Sequence, residues 1–493
     1  MKHIIEDAKR MIRFNSVATN GNEELSNYVA GLLQDRGLKT IVQQVTHSLE
    51  NVSKRQFNIV GILGDPLVDK KTRKGLLLNS HLDTVSPGLS ENWTETGGDP
   101  FSALIKDGKI YGLGSADAKI DFLCKLRAVE KFREKKLKMP VYLVGTCGEE
   151  LGMVGAKYLI KSGALNPKYA VVGEPTELKV VYAHKCVNIF KVNIGFNQVE
   201  RDARGFSRRI DLHSFGRSSH ASYPSGGLNA VEQMLDFLRQ ATEAGFELRF
   251  TRMEGGDSIN KVPDRGLVEF FMTSHQFEEF KRFFRETIKM GAKEKAFRVE
   301  LGGLGDMGVR FLPDAVFKCV TEVMASFRSL STELAEMQDG SYDPPSSTVS
   351  FSQLKQNPST VEMIFDLRLL PDQSPEELQK KVQAGIQQIA ARFPNLNVSA
   401  QLERSSPGLT MNFDHELVKI CQDAMHAAGI RPVLDKKPTS TEAALFFQAG
   451  YESVAFGPGV SQGNSGSPNE HNLLDQMEKA VTFYERLIER VCL

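Results

Sequence analysis

Five short stretches of this sequence end in side chains that bind metals or move protons. They are NSHLD (79–83), GLGSAD (112–117), GTCGEE (145–150), VVGEP (171–175) and SPNEHN (467–472). Together they offer His81, Asp117, Glu150, Glu174 and His471, with Asp83 and Glu149 beside them. Two imidazoles and three carboxylates, with no thiolate, form a nitrogen and oxygen donor set that suits zinc, cobalt or manganese. One carboxylate held between two ions roughly 3.5–4 Å apart would make a centre that polarises a carbonyl and generates hydroxide at neutral pH. Glu149 and Glu150 are adjacent and so diverge in direction, which lets one bind metal while the other acts as general base. His81 and Asp83 are two apart and share a face at a strand end, an arrangement that suits a ligand and the group that orients it. Each stretch alone also reads as a polar turn or a solvated surface pair. GLGSAD opens like a dinucleotide fingerprint but lacks the third glycine. The recurrence of five such strand ends in one chain carries the metal-site reading, because open α/β sheets place ligands at the carboxyl ends of their strands.

The elements that must position these residues are legible in the hydrophobic pattern. Apolar runs at 40–45, 56–63, 75–81, 140–146 and 169–175 alternate with helical periodicity over 4–14, 23–36 and 117–136, the last reading as amphipathic through Phe122, Leu126, Val129 and Phe132. The last ninety residues return to this alternation. The pattern predicts an α/β fold with a mixed, mainly parallel sheet sandwiched by helices. From about 185 to 400, strands with polar alternation and long charged helices predict an inserted α+β domain, with 304–350 as an added excursion punctuated by Gly, Pro and Ser. The expected boundaries are 1–184 and 403–493 for the metal-binding domain and 185–402 for the insert.

Composition narrows the class of function. The chain has 493 residues, and its 61 basic and 61 acidic residues cancel, so no whole-chain field favours nucleic acid or an anionic membrane. Six scattered cysteines without a C-x-x-C pair argue against a disulfide framework and for a cytoplasmic protein. The N-terminal stretch reads as lacking a signal peptide, and no 18-residue apolar run occurs. A small, locally recognised substrate is the expectation.

At SHLDTV (80–85), DPFSALIKDGKIYGLGSADAK (99–119), GTCGEELGMVGAKYL (145–159), VVGEPTELKVVYAHK (171–185), GRSSHASYPSGGLNAV (216–231), FDLRLLPDQSPEE (365–377) and FGPG…NEHN (456–472), the sequence resembles the M20 metallopeptidase family. That group holds acetylornithine deacetylase, succinyl-diaminopimelate desuccinylase and aminoacylases. The resemblance implies a zinc-exopeptidase-like fold with a lid or dimerisation insert and two divalent ions, with zinc expected and cobalt or manganese as alternatives. It implies that His81 and Glu174 bind one ion, Glu150 and His471 the other, and that Asp117 bridges them through a residue followed by a cis peptide bond. Asp83 would orient His81, Glu149 would act as the base, and His220 would hold the developing oxyanion, often from a partner subunit. Asn260 and Arg368 would contact substrate, Arg368 as a carboxylate clamp. The implied activity is cleavage of the amide of a small N-acyl amino acid by metal-bound hydroxide. A di-, tri- or carboxypeptidase is the alternative within the family, and a metal-free binding protein is the alternative of another class. The partners implied are a small molecule or short peptide and a second copy through the insert. STEAALF (440–446) tilts the reading toward the deacetylases. Departures stand at Ala118 and Ile120, at Cys186, and in the wide separation of Asn260 from Arg368.

Overall fold

The computed structural model describes residues 2–46, 55–65, 72–197, 199–200, 205–290, 296–302 and 309–493. It forms two compact units, residues 1–184 with 406–493, and residues 185–405. The return crossing falls at 405/406 because the strand Asn397–Ser406 belongs to the sheet of the second unit.

The first unit is built on a mixed sheet in the order Lys39–Val45, Gln56–Leu63, Val141–Thr146, Leu76–His81, Tyr169–Gly173, Glu452–Ala455, Val180–His184 and Leu409–Thr410, with Leu434–Lys437 also paired to Val180–His184. The four central strands, from Val141–Thr146 to Glu452–Ala455, run parallel. Both faces of these strands are buried, so their sequences read as continuous apolar runs rather than alternations. The alternation survives in what each side chain meets. Leu76, Leu78, Val141, Leu143, Tyr169 and Val171 pack with the helices Lys2–Arg13, Lys119–Glu130 and Leu474–Cys492 on one face. Leu77, Tyr142, Val144, Ala170 and Val172 pack with Val154–Ser162 and Glu442–Gln448 on the other.

The helix Lys119–Glu130 is not amphipathic as expected. Lys119 through Leu126, Ala128 and Val129 are all buried, because the helix lies against the sheet and is covered by the first and last helices. Its polar residues are therefore paired internally. Lys125 Nζ lies 2.7 Å from Asp121 Oδ2, 2.5 Å from the Asn79 carbonyl and 3.0 Å from Ser80 Oγ. Ser80 Oγ donates to Asp121 Oδ2 at 2.7 Å and Tyr484 OH to Asp121 Oδ1 at 2.6 Å. Gly173 is the only residue type that fits above this group, since a Cβ there would stand 1.9 Å from Asp121 Oδ2.

The second unit is an eight-stranded sheet in the order Phe297–Gly302, Arg208–Phe215, Arg265–Met272, Arg249–Gly255, Thr348–Asn357, Thr360–Leu369, Cys186–Gly195 and Asn397–Ser406. Its neighbours from Phe297–Gly302 to Cys186–Gly195 pair antiparallel. Helices Ala230–Glu243, Ser274–Met290, Asp314–Leu334 and Pro375–Arg392 share one core with it. Within the expected excursion, 304–308 lies outside the described residues, and Asp314–Leu334 is a core helix of this unit. Among the described residues, no helix is long and apolar enough to cross a membrane, and all six cysteines are buried thiols.

Removing one partner of the Lys125–Asp121 pair leaves a buried charge uncompensated. Lys125→Met is expected to lower stability by about 3–5 kcal/mol in urea denaturation. Adding Asp121→Asn should then cost less than the sum of the single changes, because the two residues share one network.

Candidate metal centre

The parallel register sets the level of the site. His81 pairs with Thr146, and Ser80 pairs with Gly173, so three strands end together. His81, Glu149–Glu150 and Glu174 follow directly at those ends. Asp117 comes from the turn before the helix Lys119–Glu130, and the Asp117–Ala118 peptide is cis.

Asp83 holds two strand ends at once. Its carboxylate accepts from the backbone N–H of Glu149 at 3.2 Å and of Glu150 at 3.1 Å. Its carbonyl oxygen lies 3.1 Å from His81 Nδ1, whereas its carboxylate is 3.8 Å from that nitrogen. The expected orienting role for Asp83 thus reaches His81 through the backbone, and the side chain fixes the Glu149–Glu150 turn. A carbonyl only accepts, so Nδ1 carries a proton and Nε2 is the ligand-competent nitrogen of the neutral ring.

His81 Nε2 lies 2.8 Å from Asp117 Oδ1. Burial alone disfavours the imidazolium, but the hydrogen bond and charge of Asp117, with Asp83 and Glu149, override it and push the His81 pKa well up. Burial likewise opposes ionisation of Asp117, yet His81 and Ser465 hold its pKa below the ordinary value. Glu150 and Glu174 are both pushed well up, by burial first and then by neighbouring carboxylates, Glu149 and Asp117 foremost. Lys437, which donates to the Pro175 carbonyl at 2.9 Å, is pushed down by burial and held up in part by Glu174 and Asp117.

Four carboxylates therefore crowd one partly buried pit, and His81 Nε2 and Asp117 Oδ1 face each other at hydrogen-bond distance. A divalent cation suits that excess of negative charge. Two donors to one ion of zinc-like radius stand about 3.4 Å apart, so a shift below an ångström would turn this hydrogen bond into two ligand bonds. His81 and Asp117 fit an ion on these grounds, and Glu174, whose carboxylate is coupled by charge to both, would complete the set.

His471 is placed differently from its expected role. Its ring packs against Tyr111 at 5.2 Å between centroids, and its Nδ1 lies 3.1 Å from the Asn469 carbonyl. The neighbour Glu470 takes the inward side, accepting from the N–H of Ala116 at 2.8 Å, Asp117 at 3.1 Å and Gly466 at 3.2 Å. From the same loop, Ser465 Oγ donates to Asp117 Oδ2. Among the described residues, no group of three or more His, Cys, Asp or Glu side chains stands close enough together to hold a metal ion without movement. Glu470, Ser465, Lys437 and Glu442 were not singled out from sequence. Glu470 stood within SPNEHN, and only the pairing of its strand distinguishes it from His471.

His220, Asn260 and Arg368 belong to the second unit. His220 Nδ1 accepts from the Ser222 N–H at 3.1 Å and lies 2.7 Å from Ser222 Oγ. The neutral ring therefore carries its proton on Nε2 as a donor. His220 is exposed to solvent, yet the protein packed around it desolvates the imidazolium and the Arg368 charge adds to this, pushing its pKa down to about 4. The carbonyl of Asn260 accepts from the Ala221 N–H at 2.8 Å, while its side chain is exposed and takes the Ser258 hydroxyl at 2.6 Å. Arg368 does not present the open fork expected of a carboxylate clamp. Its Nε and Nη2 are paired with Asp366 at 2.6 and 2.7 Å, because residues two apart share a strand face.

The model of peptidase family M20/M25/M40 matches residues 77–490. Acetylornithine deacetylases of Erwinia tasmaniensis and Salmonella typhimurium are 33% and 32% identical over 264 and 259 residues, covering 50% and 49% of this chain. The matched region spans 60% and 58% of those relatives' length. Among solved structures, the aminoacylhistidine dipeptidase of Vibrio alginolyticus matches 99% of this chain and 96% of its own, with a TM-score of 0.66 at 17% identity. An M20 family metallo-carboxypeptidase of Sulfolobus solfataricus matches 99% of both chains, with a TM-score of 0.59 at 16% identity. At these identities the structures show a shared fold.

One layer below the pit, Glu442 is fully buried, and its Oε2 accepts from Asn79 Nδ2 at 2.6 Å and Thr146 Oγ1 at 2.7 Å. Burial, then the charge of Glu149, raises its pKa from 4.5 to about 7. The folded state thus keeps a proton that the unfolded chain releases, so this contribution to stability is full below pH 4.5 and is lost as pH rises through about 7. Glu442→Gln mimics the protonated form. In urea denaturation it should match the parent near pH 4.5 and exceed its stability at pH 8 by about 3 kcal/mol.

Proposed function

The chain belongs to peptidase family M20/M25/M40, and from that premise we propose that it is a metal-dependent hydrolase that cleaves the amide bond of a small N-acyl amino acid. The observation that carries this reading is the clamp on Glu149 and Glu150. Asp83 fixes their backbone at the strand end beside His81, Asp117 and Glu174, and it leaves the Glu149 side chain inside the pit at 8% exposure.

His81, Asp117 and Glu174 would hold a divalent cation, zinc by preference for this donor set. When bound, such an ion polarises the scissile carbonyl and acidifies a water. Glu149 accepts the proton of the attacking water and returns it to the leaving nitrogen, the work of a general base that becomes a general acid. Asp83 keeps the His81 ring in the tautomer that exposes Nε2. His220 is assigned to the developing oxyanion, a role supported by the donor character of its Nε2 and by its neutrality, because a neutral N–H is gained as a contact when charge develops. Arg368, paired with Asp366, is assigned to shaping this donor rather than to gripping substrate.

A dipeptidase is the second reading, and one observation favours it. The deacetylase similarity covers half of the chain, whereas the fold shared with the aminoacylhistidine dipeptidase runs through 99% of it, the large second unit included.

Turnover of N-acetyl, N-succinyl and N-formyl amino acids, measured alongside dipeptides with zinc and with cobalt, separates the two readings. Hydrolysis of dipeptides alone selects the second, and hydrolysis of neither overturns both. Glu149→Gln should retain the ion and lose on the order of 100-fold or more in kcat. Unchanged turnover would remove Glu149 from the role of base.

A further inference from the structure

We propose that the centre holds one divalent ion per chain, at His81, Asp117 and Glu174, and that the 464–471 loop closes off the place a second ion would require. This rests on the metal-dependent hydrolase reading above.

A bridging carboxylate must give one oxygen to each ion. Asp117 Oδ1 faces His81 Nε2, but Oδ2 accepts the Ser465 hydroxyl. The second ion would also need an imidazole, and the fold turns His471 away. The strand His471–Leu473 pairs antiparallel with Lys109–Tyr111, His471 opposite Tyr111, and the Gly112 N–H donates to the Glu470 carbonyl at 2.9 Å. Neighbouring side chains along an extended strand point to opposite sides. Glu470 fills the inward side, where it satisfies three backbone N–H groups that include that of Asp117.

Bringing His471 inward would take a one-residue slip of this pairing, and such a slip exchanges the two faces completely. It would eject the Glu470 carboxylate from the Ala116, Asp117 and Gly466 N–H groups, each left unpaired at a cost of about 1–3 kcal/mol. The register is held further by Asn472, whose Nδ2 donates to the Ser115 carbonyl at 2.9 Å, and by Asn464, which bonds both the His471 N–H and its carbonyl. Lys437 adds a charge of the chain's own. Its ammonium is anchored on the Pro175 carbonyl, next to Glu174, where it offsets part of the negative charge that a second cation would balance. One imidazole and two carboxylates leave coordination positions open, the pattern of a catalytic rather than a structural site.

The full-length chain, stripped with a chelator and titrated with zinc chloride by calorimetry and elemental analysis, should bind one equivalent. His471→Ala should keep that stoichiometry and bind within about twofold of the parent. His81→Ala and Glu174→Gln should each weaken binding on the order of 100-fold, and urea denaturation of both keeps a folding failure from passing as ligand loss. With cobalt(II), the electron paramagnetic resonance signal should grow to one equivalent with a single uncoupled line shape. Two zinc ions per chain, falling to one in His471→Ala, would overturn the single-ion centre and leave the hydrolase reading intact. Failure of the parent to bind zinc any better than His81→Ala would overturn the hydrolase reading itself.

Discussion

The carboxylate of Asp83 accepts from two consecutive backbone N–H groups, and its own carbonyl accepts from the ring that the preceding strand presents. One residue thereby couples the ends of two neighbouring parallel strands. The coupling matters because the two functions it joins need a fixed separation: His81 supplies a ligand and Glu149 a base. Parallel pairing alone sets the height of these residues but not the direction of the turn after Thr146. The two hydrogen bonds to Asp83 set that direction, and because they involve a charged acceptor they are of the stronger kind.

Beneath that clamp, charge is arranged in layers. The deepest layer is neutral, because Lys125 and Asp121 cancel and every atom of the pair finds a partner among Ser80, Asn79 and Tyr484. On the opposite face of the sheet, Glu442 is hydrogen-bonded on one oxygen, while its Oε1 finds no partner among the described residues. At the strand ends the carboxylates Asp117, Glu149, Glu150 and Glu174 outnumber the nearby cationic groups His81 and Lys437. The fold thus confines uncompensated negative charge to the level at which a cation can enter, and it removes the competing site that an unpaired Asp121 would otherwise create.

Much of the first unit was legible because local rules fixed it. The apolar runs marked strands, and the polar residues after them marked the carboxyl ends. Three features escaped, each for a long-range reason. The helix after Asp117 reads as amphipathic, yet the first and last helices cover its polar side, so Asp121 and Lys125 become a buried pair. The choice between Glu470 and His471 depends on the register of a three-residue strand, and adjacent residues give no sequence signal of which faces inward. Lys437 lies far along the chain from Glu174 and Asp117 and meets them only through a parallel pairing. The pairing of Arg368 with Asp366 was available from the i, i+2 rule, since FDLR places both on one face of a strand.

The single-ion arrangement and the role of Glu149 support each other through charge. Asp83, Asp117, Glu149, Glu150 and Glu174 bring five negative charges when ionised, and Lys437 brings one positive charge. With one divalent ion and a neutral His81, the pit retains two net negative charges, which favours proton acceptance by the base. With two such ions that excess is gone, and the field around Glu149 would favour the proton transfer asked of it less. A lysine beside the ligands is therefore compatible with catalysis when it accompanies one ion, and it weakens the base when it accompanies two. The turn of His471 toward Tyr111 and the anchoring of Lys437 on Pro175 are two parts of the same electrostatic solution.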